Sequence, residues 1–446
     1  MKFFSDLLKK SYLIFFSLFL SSALTAFADV AESSVPDGSL TLRQAYELSL
    51  KRSEDIASKA EVIREAEGHF YQALSGILPN VDFVMTRFDQ DASGSSSSDG
   101  SGATSNLLRR STPVRKFKVS QPLFSGFKEL AAMQGAGAEK SQRIYEKKRA
   151  EELLFIDITE AYYGLLEARK DLELLDKIQA LLNRRIATLS ERVRIGRSRE
   201  SESKTALVDL KLAEVEKEDS RQAEIVWRRL LEFYIGREIR GPLEDDAIPG
   251  TPLADTLETS AKAGKRSDVA AAKEAYNLSD KKVGVATSGL FPTLSVDGNY
   301  YTQRVGIQSG IDWDVLFTVD VPIFEGTRVV GDIKSAAAQR ESAKLTWSKL
   351  ERQARLEAED AFDAYQSSLR QENALLEAMH AAEDSAKLYA EEYEHNLVNN
   401  LDVLQTLKAQ EDTSRRWNQA HYQAKKNYWK FKVAAGEALG INSVEP

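Results

Sequence analysis

The chain has 446 residues, of which 42% are hydrophobic and 29% are charged, and its formal net charge is −8. With only 10 prolines, this composition favours helix and lies well short of the apolar content of a helical membrane protein. The sequence contains no cysteine, which excludes disulfides, thiolate metal sites, a cysteine nucleophile and a lipidated N-terminal cysteine.

Residues 1–28 are typical of an export signal. Three lysines form a basic start, residues 12–20 form an apolar core, and Ala26-Phe27-Ala28 fits a small-x-small cleavage site. The alternative is an N-terminal anchor helix, which the apolar core disfavours because it is shorter than the ~20 residues that span a bilayer. We expect a mature chain that begins at Asp29 with a net charge of about −10, which is unsuited to nucleic-acid binding.

Much of the sequence is a tandem duplication. Five residues recur 200 positions later: Phe117, Val119, Pro122, Phe124 and Gly126 return as Phe317, Val319, Pro322, Phe324 and Gly326. Upstream the offset is 213, because a Ser/Gly-rich insert at 93–105 is present only in the first copy. The predicted organisation is an N-terminal linker at 29–40, repeat 1 at 41–236, an inter-repeat linker at 237–251, repeat 2 at 252–440 and a C-terminal tail at 441–446.

Each repeat is predicted to be mostly helix. From Leu154 to Val193, twelve positions lie alternately four and three residues apart, and eleven of them are apolar. This is a heptad seam, which packs long helices lengthwise as coiled coils. The sequence predicts an opening, a long and a returning helix in each copy: 41–76, 126–195 and 196–234, then 253–288, 326–396 and 401–435. Arg184 and Arg185 are interpreted as part of a solvated helix face.

Two strand candidates lie between the opening and long helices of each repeat. Apolar and polar residues alternate in 81–86 and 116–120, and again in 294–300 and 314–321. This alternation is typical of membrane β-barrel strands with a wet interior. A soluble hairpin that covers a core is the alternative, but the helices already use their apolar seams for coiled-coil packing and the chain is predicted to be exported.

Four strands per chain cannot close a barrel, so other copies must pair with the outer edges. Two copies would give eight strands, whose own side chains fill the interior, whereas three copies would give twelve strands and an aqueous lumen in a closed ring. The predicted fold class is therefore mainly α, with duplicated long-helix coiled-coil hairpins and four β-strands per chain that form a 12-stranded membrane β-barrel in a trimer. The insert at 93–105 would be an exposed, disordered loop at a hairpin tip.

At the strand boundaries the sequence resembles the TolC-like outer membrane efflux proteins. Leu78-Pro79 and Phe291-Pro292 precede the first strand of each pair, and the segments QPLFSG at 121–126 and VPIFEG at 321–326 end the second. The resemblance covers essentially all of the predicted mature chain. It implies a homotrimer in the lipid of the cell outer membrane, whose β-barrel continues into an α-helical barrel that projects into the periplasm and closes at its far end.

The resemblance also implies a function. The protein would be the channel of a tripartite efflux or type I secretion system, a passive exit duct docked onto a periplasmic adaptor (membrane fusion) protein and an inner-membrane transporter. A periplasmic coiled-coil adaptor or scaffold protein is the alternative, and a secreted hydrolase is another. Because the sequence contains no HExxH pair, phosphate loop or nucleophile elbow, we predict no catalytic residue, cofactor or metal site, and no enzymatic activity.

The closed end implied by the resemblance would be built by the helix-to-helix turns at 196–204 and 396–405. Asp402 matches a pore-lining aspartate of the family, and three such carboxylates around one axis would attract cations. The family's second aspartate is replaced by Gln405. The alternative for Asp402 is an ordinary helix-start acid that the helix dipole favours.

A hydrogen-bonded latch is the other feature that the resemblance implies. Tyr393 matches the family's latch tyrosine, and Glu202 occupies the position of the acid that pairs with it. The family's arginine in the second turn corresponds to Val398, so half of the latch is missing. For Tyr393 and Glu202, too, the alternative is ordinary helix-turn chemistry.

Overall fold

The computed structural model describes residues 39–91, 111–246, 262–306, 308–395 and 397–437. The predicted export signal at 1–28, the insert at 93–105 and the tail at 441–446 lie outside these residues. The chain divides into two compact units. In the smaller unit, the Leu40 N–H donates to the carbonyl of Pro242 at 3.0 Å, and Leu40 forms a parallel bridge with Leu243. The larger unit, within 41–239 and 244–446, contains the helices and strands described below.

Two short helices, rather than one, open the first repeat. Helix α1 (Leu42–Arg52) begins with a capping box between Thr41 and Gln44. Helix α2 (Glu54–Ser75) follows after Ser53, whose extended backbone ends α1 and whose hydroxyl accepts a hydrogen bond from an N–H of α2. The prediction of one helix over 41–76 is therefore wrong, because a serine cap interrupts it.

Two long helices complete repeat 1 where the sequence predicts them. Helix α3 (Lys128–Arg194) has 67 residues and α4 (Glu200–Ile235) has 36, so α3 extends about 100 Å at ~1.5 Å per residue. The heptad positions Ile158, Leu165 and Leu175 on α3 are fully buried. Their burial confirms the predicted packing seam.

The second repeat contains α5 (Ser267–Thr287), α6 (Arg328–Glu394) and α7 (Asn400–Ala434). Helices α6 and α7 confirm the predicted long pair. Helix α5 begins only at Ser267, because Arg266 has a non-helical backbone (φ −58°, ψ 147°), so a continuous helix over 253–288 is wrong. This break lies 213 residues after the break at Ser53, and both repeats therefore share the interrupted entry.

One antiparallel sheet joins the two repeats in the strand order β1-β2-β3-β4. Its strands are β1 (Asn80–Asp89), β2 (Ser111–Ser125), β3 (Thr293–Gln303) and β4 (Trp313–Asp320). All four coincide with predicted strands. The outer edges of β1 and β4 have no partner strand within the described part of the chain.

The strand register gives the sheet one apolar and one polar face. Phe117 pairs with Phe83 on β1 and with Tyr300 on β3, whereas its neighbour Lys118 pairs with Asp82 and Asn299. The exposed apolar side chains of the first face are Val81, Phe83, Met85, Phe117, Val119, Tyr300, Trp313, Val315, Phe317 and Val319. An apolar surface of this extent is typical of a face that meets lipid or another protein.

The helices pack as a mainly α assembly around α3, which contacts α2, α4, α5 and α7, while α6 contacts α5 and α7. Helices of the two repeats therefore share one compact unit rather than forming two separate domains. None of the described helices is both long enough and apolar enough to cross a membrane.

The exit from β2 into α3 depends on a glycine. Gly126 has φ +63°, and a Cβ added to it would lie 2.7 Å from the carbonyl oxygen of Ser288 and 2.8 Å from the Cβ of Phe291. Gly326 has φ +64° at the equivalent exit of repeat 2, but a Cβ added there would meet no atom within 4 Å. Both exits therefore need the left-handed backbone that glycine adopts easily, and only the first is also closely packed.

Candidate functional site at the helix turns

The turns between α3 and α4 and between α6 and α7 have matching backbone hydrogen bonds. The Arg197 N–H donates to the carbonyl of Arg192 at 2.8 Å, and the Leu397 N–H donates to that of Glu392 at 3.0 Å. These bonds span five residues, as at a helix end closed by a left-handed residue. Gly196, with φ +76°, provides that conformation in the first turn.

A hydrophobic cluster extends along the helices to these turns. It contains buried side chains from α3, α4, α6 and α7: Leu182, Leu189, Ala206, Leu210, Ala213, Tyr393, Val403 and Leu404. Val398, which replaces the family's arginine, packs against this cluster. The second turn therefore has an apolar contact at the position where the resemblance implies a charged one.

Tyr393 is held between two arginines of α3. Its ring is only 6% exposed, and the guanidinium carbons of Arg185 and Arg192 lie 3.8 and 4.3 Å from its centroid. A guanidinium over a tyrosine face is attracted by the ring quadrupole. The end of α6 is therefore fixed to the end of α3 through the aromatic ring.

Arg185 also bonds to the start of α7. Its Nε and Nη2 donate to Asn400 Oδ1 at 2.9 and 2.7 Å, and Asn400 is 2% exposed. Burial lowers the pKa of Arg185 from its ordinary value, and the neighbouring Arg192 adds to this, while Tyr393 and Glu202 oppose it. One arginine thus connects α3, α6 and α7.

Asp402 lies in the first turn of α7, where it forms a capping box with Asn399. The Asp402 N–H donates to Asn399 Oδ1, and the Asn399 N–H donates to Asp402 Oδ2, both at 3.1 Å. This arrangement is the helix-start chemistry that the sequence offers as the alternative. Because one carboxylate oxygen of Asp402 accepts a backbone hydrogen bond, the orientation of the Asp402 side chain is fixed.

Glu202 is the repeat-1 counterpart of Asp402, 200 positions earlier. It accepts a hydrogen bond from the Ser198 hydroxyl at 2.8 Å. Among the contacts of the described residues within one chain, there is no hydrogen bond between Tyr393 and Glu202. The Tyr393 ring instead lies against the Arg185 guanidinium, and the charge of Glu202 opposes the lowering of the pKa of Arg185.

Arg185, Arg192 and Asn400 are the site residues that sequence reasoning missed. The interpretation of Arg185 as part of a solvated helix face is wrong, because its guanidinium is half-buried between Tyr393 and Asn400. A signal was present: Arg185 and Arg192 are seven residues apart and so occupy the same heptad position on α3. Two cations on one stripe beside a core seam favour a shared aromatic or anionic partner.

The second repeat matches a known family by sequence. Residues 260–437 match the family model described as outer membrane efflux protein. Over 170 residues the chain is 28% identical to outer membrane protein OprJ of Pseudomonas aeruginosa, an alignment that covers 37% of this chain and 34% of OprJ. The chain is thus similar in sequence to about a third of that relative's length.

Solved structures show the same fold across both repeats. The outer membrane protein VceC from Vibrio cholerae superposes with a TM-score of 0.76 at 18% identity, covering 89% of this chain and 96% of VceC. The CmeC outer membrane channel of Campylobacter jejuni gives 0.75 at 15% identity, with 89% and 85% covered. The second repeat thus matches the outer membrane efflux protein family in sequence, and both repeats have the fold of these solved outer membrane proteins.

Proposed function

We propose that the protein is the outer membrane channel of a tripartite efflux or type I secretion system. In this function three copies form one passive duct that crosses the outer membrane and projects into the periplasm. The observation that carries the proposal is the four-stranded sheet, which has an exposed apolar face and two outer edges without a partner strand in the described chain. The family match of residues 260–437 supports it.

The sheet requires other copies of itself for a physical reason. Backbone N–H and C=O groups at an open edge cannot remain unpaired in lipid. Pairing β1 of one copy with β4 of the next satisfies both edges, and three copies close a twelve-stranded barrel with room for an aqueous lumen. The apolar face then meets lipid and the polar face lines the lumen. On the polar face, the Lys118 side chain forms an ion pair with that of Asp297 at 3.3 Å.

The helix turns would form the closed end of this duct. Three Asp402 carboxylates around the axis would attract cations and repel anions. Tyr393, which lies against Arg185, and Glu202 would hold neighbouring helices together, so opening would require these contacts to break. The duct would receive its cargo from a periplasmic adaptor (membrane fusion) protein and an inner-membrane transporter, and the channel itself would catalyse no reaction.

Sedimentation of the purified protein in detergent tests the assembly. We expect a trimer that forms ion-conducting pores when it is added to planar lipid bilayers, because only closure of the sheet edges makes the strands stable in lipid. Sedimentation as a monomer or dimer, or the absence of pores, would overturn the proposal.

Conductance measurements on Asp402→Asn test the proposed carboxylate ring. If the duct narrows at Asp402, removing three negative charges should lower cation conductance and cation selectivity. Asp412→Asn is the matched control, because Asp412 is an exposed acid further along the same helix. Equal conductance and selectivity in wild type and Asp402→Asn would place the constriction elsewhere.

Membrane fractionation separates the channel from the alternative, a periplasmic coiled-coil adaptor or scaffold protein. A channel is extracted only by detergent and fractionates with the outer membrane. An adaptor would be released by salt or would fractionate with the inner membrane. The exposed apolar face of the sheet favours the channel.

A further inference from the structure

A cavity of about 220 Å³ lies between α3, α4 and α7 of one chain. Most of its wall is aliphatic, formed by Leu174, Ile178, Leu181, Leu182, Leu212, Leu404 and Leu407. Leu182 and Leu404 are buried, whereas Leu181 and Leu212 are exposed, so one side of the cavity is open to solvent. An apolar cavity of ~150 Å³ can hold a benzene molecule. This cavity therefore has room for one aromatic ring with a short arm.

The charged side chains of the cavity are mostly acids. They are Asp209 and Glu216 of α4, Glu383 of α6 and Glu411 of α7, with Lys177 of α3 and Lys408 of α7. Four acids against two lysines leave a net charge of −2. Both lysines are exposed, whereas Asp209 and Glu411 are partly buried. Burial raises the pKa of Asp209, and Lys408 only opposes this rise. The excess charge is therefore negative and lies at the less exposed positions.

Glu411 has the least favourable surroundings of these acids. Burial, followed by the charge of Glu216, raises its pKa to about 7, and Asp412 adds to this rise. Arg415 opposes the rise, but its guanidinium already binds the carboxylates of Asp171 and Glu216. Among the described residues, Glu411 has no ion-pair partner of its own. Its ionised form would thus gain from a cation that no side chain provides.

We propose that this cavity binds a small amine with an apolar body, whose ammonium group pairs with the Glu411 carboxylate while the body packs against the leucines. An ammonium group supplies the positive charge that the partly buried acids lack. The apolar body removes from water the aliphatic surface that the helices leave uncovered. An aliphatic wall with a few converging polar groups is typical of small-molecule sites. The site lies within one chain and does not require the three-copy channel.

Benzylamine is a suitable probe because it combines one ring with one ammonium group. Isothermal titration calorimetry on the purified, detergent-solubilised protein measures its affinity at pH 6 and at pH 8. The amine binds the ionised form of Glu411, whose pKa is about 7, so the affinity should rise about tenfold between these pH values. At pH 7, binding should release about half a proton from Glu411. Titrations in buffers with different heats of ionisation measure this release.

Variants separate the charge of the site from its shape. Glu411→Gln keeps the size of the side chain, and we expect it to bind benzylamine about tenfold more weakly than wild type at pH 8, without a rise in affinity with pH. Glu377→Gln is the matched control, because Glu377 is an exposed acid on α6, and it should bind as wild type does. Leu212→Trp places a larger side chain at the open edge of the cavity. It should weaken the binding of benzylamine and of neutral benzyl alcohol alike.

Two further probes decide whether the charge of the ligand matters. At pH 8, wild type should bind benzylamine more tightly than benzyl alcohol, and benzoate most weakly. Tighter binding of benzoate would make Lys177 and Lys408 the recognition groups and would overturn the proposal. No binding of benzylamine, or equal binding by wild type and Glu411→Gln, would also overturn it. The channel proposal fails separately, by sedimentation as a monomer or by the absence of pores, and neither result affects amine binding within one chain.

Discussion

Some residues at the helix turns cap a helix, and others join several helices. Asp402 and Asn399 cap α7 through two hydrogen bonds of 3.1 Å, which any helix start can use. Arg185 has a more specific environment, since it contacts the Tyr393 ring and Asn400 and so joins three helices. The tyrosine ring, rather than its hydroxyl, makes the contact that one chain by itself shows.

Substitutions of Tyr393 separate the ring from the hydroxyl. Tyr393→Leu removes the stacking of two arginines, worth about 0.5–2 kcal/mol each, and should raise the open probability of the channel. Tyr393→Phe keeps the ring and removes only a hydrogen-bonding group worth about 0.5–1.5 kcal/mol. Single-channel recording should therefore rank the open probability as Leu above Phe above wild type. Equal values for Phe and Leu would assign the contact to the hydroxyl.

A carboxyl pair between α4 and α7 makes stability depend on pH. Burial, together with the neighbouring Glu216, raises the pKa of Glu411 to about 7. Its folded-state pKa lies above its ordinary value, so its contribution to stability is complete below about pH 4.5 and is lost as the pH rises through about 7. We expect Glu411→Gln to be more thermostable than wild type at pH 8, and to lose that advantage at pH 4.5.

Thermal unfolding of the detergent-solubilised protein across this pH range measures the effect. Glu377→Gln is the control, because Glu377 is an exposed acid on α6 and its removal should shift the melting temperature equally at both pH values. A constant difference between Glu411→Gln and wild type would show that the pair does not titrate on unfolding.

At the scale of elements, equivalent positions of the two repeats have the same backbone conformation but differ in the contacts around them. Both opening helices are interrupted, at Ser53 and at Arg266, and both strand-to-helix exits contain a glycine with positive φ. Only at the first exit would a Cβ on the glycine meet another element, the segment that contains Ser288 and Phe291. The contacts of equivalent positions therefore differ although their conformations agree.

Alanine at the two exit glycines measures this difference. Gly326→Ala should cost about 1–2 kcal/mol, the strain of a left-handed residue with a side chain. Gly126→Ala has the same strain and an added clash with a backbone oxygen at 2.7 Å, which typically costs a further 1–3 kcal/mol, roughly. The comparison is of melting temperatures of purified trimers, and equal losses would mean that the Ser288 segment moves away without cost.

At the scale of the whole molecule, the sheet and the helices have different requirements. The long helices bury their seams within one chain, as Ile158, Leu165 and Leu175 show. The sheet leaves its apolar face exposed and its outer strands without partners in the described chain. Stability of the sheet is therefore expected to depend on copy number and on lipid, which is the basis of the proposed trimer.

Deletion of 93–105 tests which parts of the sheet the assembly needs. The deletion brings the connection between β1 and β2, 90–110, to about the length of 304–312, which joins β3 to β4. Because a connection of that length suffices in repeat 2, we expect trimer formation and conductance to be retained. Sedimentation and bilayer recording check this, and loss of the trimer would show that the insert contributes contacts to the assembly.

The sequence by itself determined the elements and their duplication. Heptad spacing on α3 and period-two alternation in the four strands are local patterns, because each follows from which side chains share a face. The family motifs at 121–126 and 321–326 indicated, through the resemblance, how the strands and helices are arranged. The break at Ser53 was missed because a capping serine interrupts an otherwise apolar-periodic segment without a proline or glycine to mark it. The break at Arg266 had a signal that was not used, Gly264 two residues earlier.

Only the tertiary structure decided what Arg185, Asn400 and Glu411 contact. Arg185 and its partner Asn400 are 215 positions apart. Glu411 and its neighbour Glu216 likewise come from different repeats. Such contacts depend on how α3, α4 and α7 pack, which no local pattern specifies. The burial that stacks Arg185 on a ring and raises the pKa of Glu411 is a property of that packing, because desolvation arises only where distant segments together exclude water.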